Sequence, residues 1–175
     1  MFQELLKIKM DFNGYIKGLI FYKVIFVLLF SHTFHLVLLY RIGKAFSFIP
    51  IVGIPIRYLF EYLIRILFSS DISLKSTIQG GLRFEHGHDI VIGADVFIGN
   101  NCKIFNGVTI GNKNPDLSSL GNQPKIGNNA ILSTGSKILG NINIGNNVIV
   151  GANSVVLIDI PDNKKAVGIP CRILD

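Results

Sequence analysis

From Ile92 onward an aliphatic residue returns every six positions: Ile92, Ile98, Ile104 and Ile110, then Ile126, Leu132, Ile138, Ile144, Val150 and Val156. Four positions after each of these stands a small or aliphatic residue, as at Val96, Cys102, Val108, Ala130, Ser136, Ile142, Val148 and Ser154. Gly or Asn fills many of the positions between, as in Gly99-Asn100-Asn101 and Gly145-Asn146-Asn147. A period of six fits neither an amphipathic helix nor a series of hairpins. It fits a three-sided solenoid, in which each side is a short strand and each corner is a tight turn that Gly and Asn tolerate. Three sides make a coil of about 18 residues, and coils stack about 4.8 Å apart by strand pairing. Each coil then buries its apolar face only against its neighbours.

The period breaks once. Ile110 and Ile126 are 16 residues apart, and the stretch 112–124 between them is rich in Asn, Pro, Ser and Gly. This reads as a loop thrown out of the solenoid wall, and long loops on rigid scaffolds often carry function. Upstream, a weaker trace runs through Leu74, Ile78, Phe84 and Ile90. The solenoid is therefore expected over residues 71–160. A tail over 161–175 is expected to fold back and cap the last coil.

Residues 1–70 carry no hexapeptides. Their apolar spacing predicts helices over about 2–12, 15–30, 33–47 and 54–69, with Pro50 and Pro55 marking the third junction. The longest uncharged run, Val24–Tyr40, has 17 residues and holds Ser31, His32, Thr33 and His35 in its middle. That is short and polar for a spanning helix, which wants about 20 mostly apolar residues. Two readings of this segment stand side by side: helices packed on the solenoid and on neighbouring subunits, or a basic apolar face lying on a membrane.

Charge sharpens the second reading. The chain carries a net charge of +6, and residues 1–70 hold eight Lys and Arg against three Asp and Glu. A basic apolar segment suits an anionic membrane surface. Nucleic acid is not expected, because no basic run or recognition module is present. The N-terminal stretch lacks the order of a signal peptide. Cys102 and Cys171 have no metal-ligand spacing and suit a reducing cytoplasm. The expected location is cytoplasmic, with peripheral contact to the inner face of the membrane through residues 1–70.

Several motifs carry a more specific signal: Phe34-His35-Leu36-Val37-Leu38-Leu39-Tyr40-Arg41-Ile42-Gly43, Gly107-Val108-Thr109-Ile110-Gly111, Gly151-Ala152-Asn153-Ser154-Val155-Val156 and Val167-Gly168-Ile169-Pro170-Cys171-Arg172. With His86 they resemble the serine-acetyltransferase-related branch of the hexapeptide-repeat acyltransferases, which also includes bacterial polysaccharide O-acetyltransferases. The likeness covers roughly residues 34–174. It implies a mainly β fold, a left-handed parallel β-helix with an N-terminal α-helical segment. It further implies a homotrimer with active sites between adjacent subunits and acetyl-CoA as co-substrate. The left hand comes from the resemblance alone, against the usual crossover rule.

Acetyl transfer to an alcohol needs a base for the hydroxyl proton and donors for the developing oxyanion. Histidine is the natural base near neutral pH. Of the four histidines only His86 and His88 lie in the solenoid, and His86 matches the family's base. Asp71, 15 residues earlier, matches the carboxylate that orients it; its other reading is a cap where helix meets first coil. Glu85 takes the place of an acidic acceptor contact, and His88 could face the acceptor or solvent. The resemblance places acetyl-CoA along Ser133, Thr134, Gly135, Gly151 and Ala152, with Lys164, Lys165 and Arg172 near its phosphates. No metal is implied.

Departures from the family pattern bear on the acceptor. Serine acetyltransferases carry an Arg-His pair before the Pro that closes the long loop, where this chain has Asn122 and Gln123. Neutral amides hold a carboxylate less well than cations do. About 33 residues precede Phe34, fewer than the resemblance leads one to expect. The acidic residue that contacts the serine amine is replaced around Tyr22, and Ser73-Leu74 stand where His-Pro is usual. These features favour a hydroxyl of a surface-glycan sugar as acceptor, contacted by Glu85, His88, Asn122 and Gln123. The alternatives are free serine and a non-catalytic scaffold.

Overall fold

The computed structural model describes residues 2–114 and 116–175. Four helices come first: α1 (Phe2–Ile16), α2 (Phe21–Phe30), α3 (His32–Phe46) and α4 (Gly53–Phe68). Short strands follow: β1 (Asp71–Ile72), β2 (Thr77–Ile78), β3 (Arg83–Phe84), β4 (Val91–Ile92), β5 (Phe97–Ile98), β6 (Lys103–Ile104), β7 (Thr109–Gly111) and β8 (Lys125–Ile126). Then come β9 (Ile131–Leu132), β10 (Lys137–Leu139), β11 (Asn143–Ile144), β12 (Ile149–Val150), β13 (Val155–Val156), β14 (Lys165–Val167) and β15 (Arg172–Leu174). The strands sort into three sheets, each taking every third strand: β1-β4-β7-β10-β13, β2-β5-β8-β11, and β3-β6-β9-β12-β14 with β15 at the edge. All pairings are parallel except the last, where β15 returns antiparallel to β14. This is the three-sided coil that the period of six implies.

One residue of each strand from β1 to β14 faces inward, and the ladder Ile72, Ile78, Phe84, Ile92, Ile98, Ile104, Ile110 is buried along its length. The outward partner of each is left to the three faces. At the corner between the second and third sheets, Asn101, Asn129, Asn147 and Asn163 take left-handed backbone angles, with φ of 57°, 56°, 57° and 62°. Asn accepts that conformation more readily than other L-residues. The preceding amides bond from coil to coil: Asn128 Oδ1 accepts from Asn100 N at 2.8 Å, and Asn146 Oδ1 from Asn128 N at 2.9 Å. The repeated Asn is thus both a turn former and a rung.

The register shows where coils depart from 18 residues. Val91 pairs with Thr109 and Lys125 with Asn143, each 18 apart. Asp71 pairs with Val91 and Arg83 with Lys103, each 20 apart. The two extra residues fall between Phe84 and Val91, at the corner between the third and first sheets. The upstream trace is corrected accordingly. The ladder runs through Ile72 and Ile92, while Leu74 and Ile90 are buried beside it. Phe97 pairs with Lys125 across 28 residues, so the ten additional residues of 112–124 lie outside the wall.

The helical lobe is fastened to the first coil by a buried ion cluster. Arg41, fully buried on α3, donates from Nε to Asp11 Oδ2 at 2.8 Å and from Nη1 to Glu4 Oε2 at 3.1 Å. It also donates to the carbonyls of Ile78 at 2.7 Å and Gln79 at 2.5 Å. Asp11 Oδ1 accepts from Leu82 N at 2.8 Å. Next to it the Tyr40 hydroxyl donates to Ser76 O at 3.1 Å. Gly43 completes the Tyr-Arg-Ile-Gly motif, because a Cβ there would lie 2.6 Å from Phe60 Cβ on α4. α1 runs to Ile16, and the break at Lys17–Ile20 contains Gly18 at φ 77°. The continuous helix expected over 15–30 is therefore two helices that meet at a Gly turn.

Cys102 is fully buried in the solenoid, and burial pushes its thiol up to about 11. Cys171 is half-buried near the end of the chain. A native titration with a thiol-reactive disulfide is expected to modify Cys171 and leave Cys102 untouched until denaturant is added.

Candidate active site

His86 lies on the corner that carries the two extra residues. The turn Glu85–Asp89 swings outward from the wall, so His86 and His88 are exposed while Gly87 between them is buried. Three contacts fix this turn. At its entry, the Tyr15 hydroxyl of α1 accepts from Phe84 N at 2.9 Å and lies 3.2 Å from Phe84 O. In its middle, Gly87 packs against the start of α3. A Cβ there would meet Leu36 at 3.3 Å and the His32 ring at 3.4 Å. At its exit, Asp89 N donates to Ser69 O at 3.0 Å and Ile90 N to Ser70 Oγ at 3.1 Å. The His86 ring stands edge-on to Phe105, with centroids 6.3 Å apart. The turn is thus pinned at both ends, with the His86 imidazole open to solvent.

Backbone bonding continues the corner from coil to coil. Glu85 N donates to Ile104 O, Phe105 N to Leu132 O, Ser133 N to Val150 O and Gly151 N to Ala166 O, all at 2.8–3.0 Å. Glu85, Phe105, Ser133, Gly151 and Val167 therefore form one column on the outer face of the third sheet. Four strand spacings make it about 19 Å long. Beside it, Gly135 N donates to Asn106 O and Asn153 N to Thr134 O, both at 2.9 Å. The structure thus brings Ser133, Thr134, Gly135, Gly151 and Ala152 onto the same edge as His86, His88 and Glu85. At the far end of this edge Val167, Gly168, Ile169, Pro170 and Arg172 line a cleft.

Other residues stand differently. Asp71 pairs in register with Val91, two residues past the His86 turn. Its carboxylate is held by Arg65 Nη2 at 2.8 Å, in an exposed ion pair. Lys164 pairs with Asp175. Lys165 is exposed on β14, two residues before Val167 on the same outer face. Asn122 and Gln123 lie at the base of the loop, on the corner between the first and second sheets, away from His86 within one chain. Asn122 Nδ2 donates to Ser118 O at 2.9 Å and closes the loop. Gln123 is buried against Gly93, and its Oε1 has no hydrogen-bond partner.

Some contributors escape a reading of the sequence alone. His32 and Thr33 touch Gly87 from α3. Lys137 Nζ donates to Gly107 O at 2.6 Å and lies 3.1 Å from Thr109 Oγ1, beneath the same corner. Histidines outside the repeat gave no signal of nearness to His86, because the contact is made through tertiary packing.

The site thus sits on the wall of a hexapeptide solenoid, and residues 123–157 match the family described as bacterial transferase hexapeptide (six repeats). Relatives narrow this further. A serine acetyltransferase of Synechococcus elongatus is 38% identical over 116 residues, covering 66% of this chain and 47% of its own. The Neisseria gonorrhoeae serine acetyltransferase solved in complex with serine superposes with a TM-score of 0.86 at 27% identity, over 99% of this chain and 70% of that one. A serine acetyltransferase solved in complex with CoA superposes with a TM-score of 0.81 at 27% identity, over 98% and 70%. The chain spans about half the length of the curated relatives it matches. Its solenoid is the left-handed parallel β-helix of these structures, and its likeness is to the hexapeptide acyltransferases.

These findings correct the glycan acceptor and the polysaccharide-modifying branch inferred from the sequence, since the relatives and the solved neighbours are serine acetyltransferases. The physical reason lies in the loop. The Asn122 amide is engaged in closing 112–124, and Gln123 is buried. Their neutrality reports on loop packing and does not identify an uncharged acceptor.

Proposed function

We propose that this chain is an acetyl-CoA-dependent O-acetyltransferase whose acceptor is the hydroxyl of serine. The observation that carries the reading is the single edge that lines His86 up with Ser133, Gly151 and the 167–172 cleft, in a fold shared with serine acetyltransferases solved with serine and with CoA. His86 takes the proton from the serine Oγ as that oxygen attacks the thioester carbonyl. The tetrahedral intermediate expels the CoA thiolate, and the imidazolium returns its proton to the sulfur. Glu85, half-buried beside His86 and paired with Arg83 at 3.1 Å, turns its carboxylate to the serine ammonium once serine binds, and His88 borders the acceptor. Asp71 orients the imidazole once its carboxylate leaves Arg65.

The acetyl-CoA chain lies along Ser133, Thr134, Gly135, Gly151 and Ala152, where backbone groups face the column, with its thioester at the His86 end. Arg172 and Lys165 meet the phosphates at the far end. Asn122 stands on a different corner from His86, so it meets the acceptor only when a neighbouring copy brings it there, as in a homotrimer with shared sites. The test is thiol release from acetyl-CoA with L-serine, with mass detection of O-acetylserine. Serine-dependent release is expected; acetyl-CoA turnover that ignores serine would overturn the reading.

The neutral loop base has a consequence. With no cation at position 122, the serine carboxylate is held weakly and KM for serine is high. Asn122→Arg is expected to lower KM for L-serine about tenfold, as a charge-assisted bond replaces a neutral one, with kcat little changed in steady-state assays.

A further inference from the structure

The helix α2 is unlike the other three described helices. It reads Phe-Tyr-Lys-Val-Ile-Phe-Val-Leu-Leu-Phe, and none of its ten residues is buried. Phe21, Tyr22, Phe26, Leu29 and Phe30 are 60–80% exposed. A helix that is apolar all round belongs in a core or in lipid, and here no core covers it. α2 cannot span a bilayer: ten residues rise about 15 Å against a hydrocarbon thickness of about 30 Å. Nor can α3 extend it, because the two helices meet at a 61° bend and α3 is packed on the solenoid through Leu36, Val37 and Tyr40. The geometry allows α2 to lie along an interface, not through it.

The charges around α2 indicate which interface. The only carboxylates in residues 2–47 are Glu4 and Asp11, and both are buried on Arg41. Lys7 is paired with Glu4, and Lys44 is half-buried and donates to the carbonyls of Leu74 and Ser76. What remains exposed on this part of the lobe, among the described residues, is Lys9, Lys17 and Lys23. Lys17 precedes α2, and Lys23 lies in its first turn. An apolar helix whose one charge is a lysine in its first turn, with a second lysine just before it, is complementary to an anionic lipid surface. Association between copies through α2 would instead bring these like charges together.

We propose that α2 is a membrane-docking helix that lies in the plane of an anionic phospholipid bilayer, with Phe26, Leu29 and Phe30 among the acyl chains and Lys17 and Lys23 at the headgroups. Ser31 then marks where the chain leaves the interface, and the next residue, His32, abuts Gly87 of the His86 turn. Docking would hold that corner close to the membrane. The proposal does not depend on which acceptor the site uses.

The test is co-sedimentation of the full chain with vesicles of mixed phosphatidylglycerol and phosphatidylcholine, against vesicles of phosphatidylcholine alone. Binding to the mixed vesicles, weakened by salt, is expected. Lys17→Gln with Lys23→Gln is expected to reduce it roughly thirtyfold, from about 1 kcal/mol for each lysine near the surface. Phe26→Ser with Leu29→Ser is expected to abolish it while circular dichroism stays unchanged, because both side chains are exposed. Failure to bind either vesicle, or equal binding to both, would overturn the proposal. So would a Phe26→Ser/Leu29→Ser variant that falls to a smaller oligomer in light scattering yet binds vesicles like the parent, since α2 would then be a contact between copies.

Discussion

His86→Ala is expected to lower kcat for acetyl transfer by about 10²–10⁴-fold, the usual contribution of a positioned general base. CoA affinity and thermal stability are expected to stay near those of the parent. The second half of that expectation follows from position. The imidazole is exposed on a turn whose anchors are backbone groups, Tyr15, Gly87 and Ser70, so its removal leaves every anchor in place. His88→Ala, two residues along the same turn, serves as the control and is expected to cost far less. Steady-state thiol release, calorimetric CoA binding and a melting curve measure the three quantities separately. A His86→Ala enzyme with parental kcat would remove the base from the mechanism.

The largest expected effect on stability is at Arg41. Its guanidinium is fully buried and satisfies Glu4, Asp11 and two carbonyls of the first coil. Arg41→Met leaves Asp11 without a counter-charge inside the protein and Glu4 with Lys7 alone. Breaking a buried pair in this way costs about 3–5 kcal/mol. For a chain of this length that corresponds to a fall in Tm of roughly 6–20 °C. Replacing the carboxylates as well, in Glu4→Gln/Asp11→Asn/Arg41→Met, is expected to recover part of the loss, because no buried carboxylate then lacks its counter-charge. A melting temperature in the triple variant as low as in Arg41→Met would show that lost packing, not stranded charge, is the cause. The effect reaches the site, since Asp11 and Tyr15 on α1 fasten Leu82 and Phe84, the strand that enters the His86 turn.

The solenoid was legible because its signal is local. Each inward aliphatic is six residues from the next, and the side of every strand repeats the same problem of burial. The expanded corner was not legible for the opposite reason. Phe84 and Ile90 are also six apart, so the sequence offers a regular step where the chain inserts two residues and restarts the ladder at Ile92. Hydrophobic spacing cannot tell a side of the coil from a turn that happens to end on a buried residue. The helical lobe posed a related difficulty. Spacing gave helices but not the Gly18 break, and it could not say that Arg41 finds Glu4 and Asp11 thirty or more residues away.

Of the site, the column of backbone groups was readable from register once the coils were counted. The partners of individual side chains were not. Asp71 holds Arg65, Lys164 holds Asp175 and Asn122 closes its own loop, all pairings set by tertiary packing or local turn geometry. The substitution of Arg-His by Asn122-Gln123 was visible in the sequence, but its weight was not. A change of residue type at a binding position reads as a change of ligand, whereas here the amide and the buried Gln123 side chain answer first to the loop that carries them.

The most direct measurement is a crystal structure of the full chain with CoA and L-serine bound. The expected result is the serine Oγ within about 3.2 Å of a ring nitrogen of His86, with the CoA chain running past Ser133 and Gly151 toward Arg172. CoA bound on another face of the solenoid, with His86 facing only solvent, would contradict it.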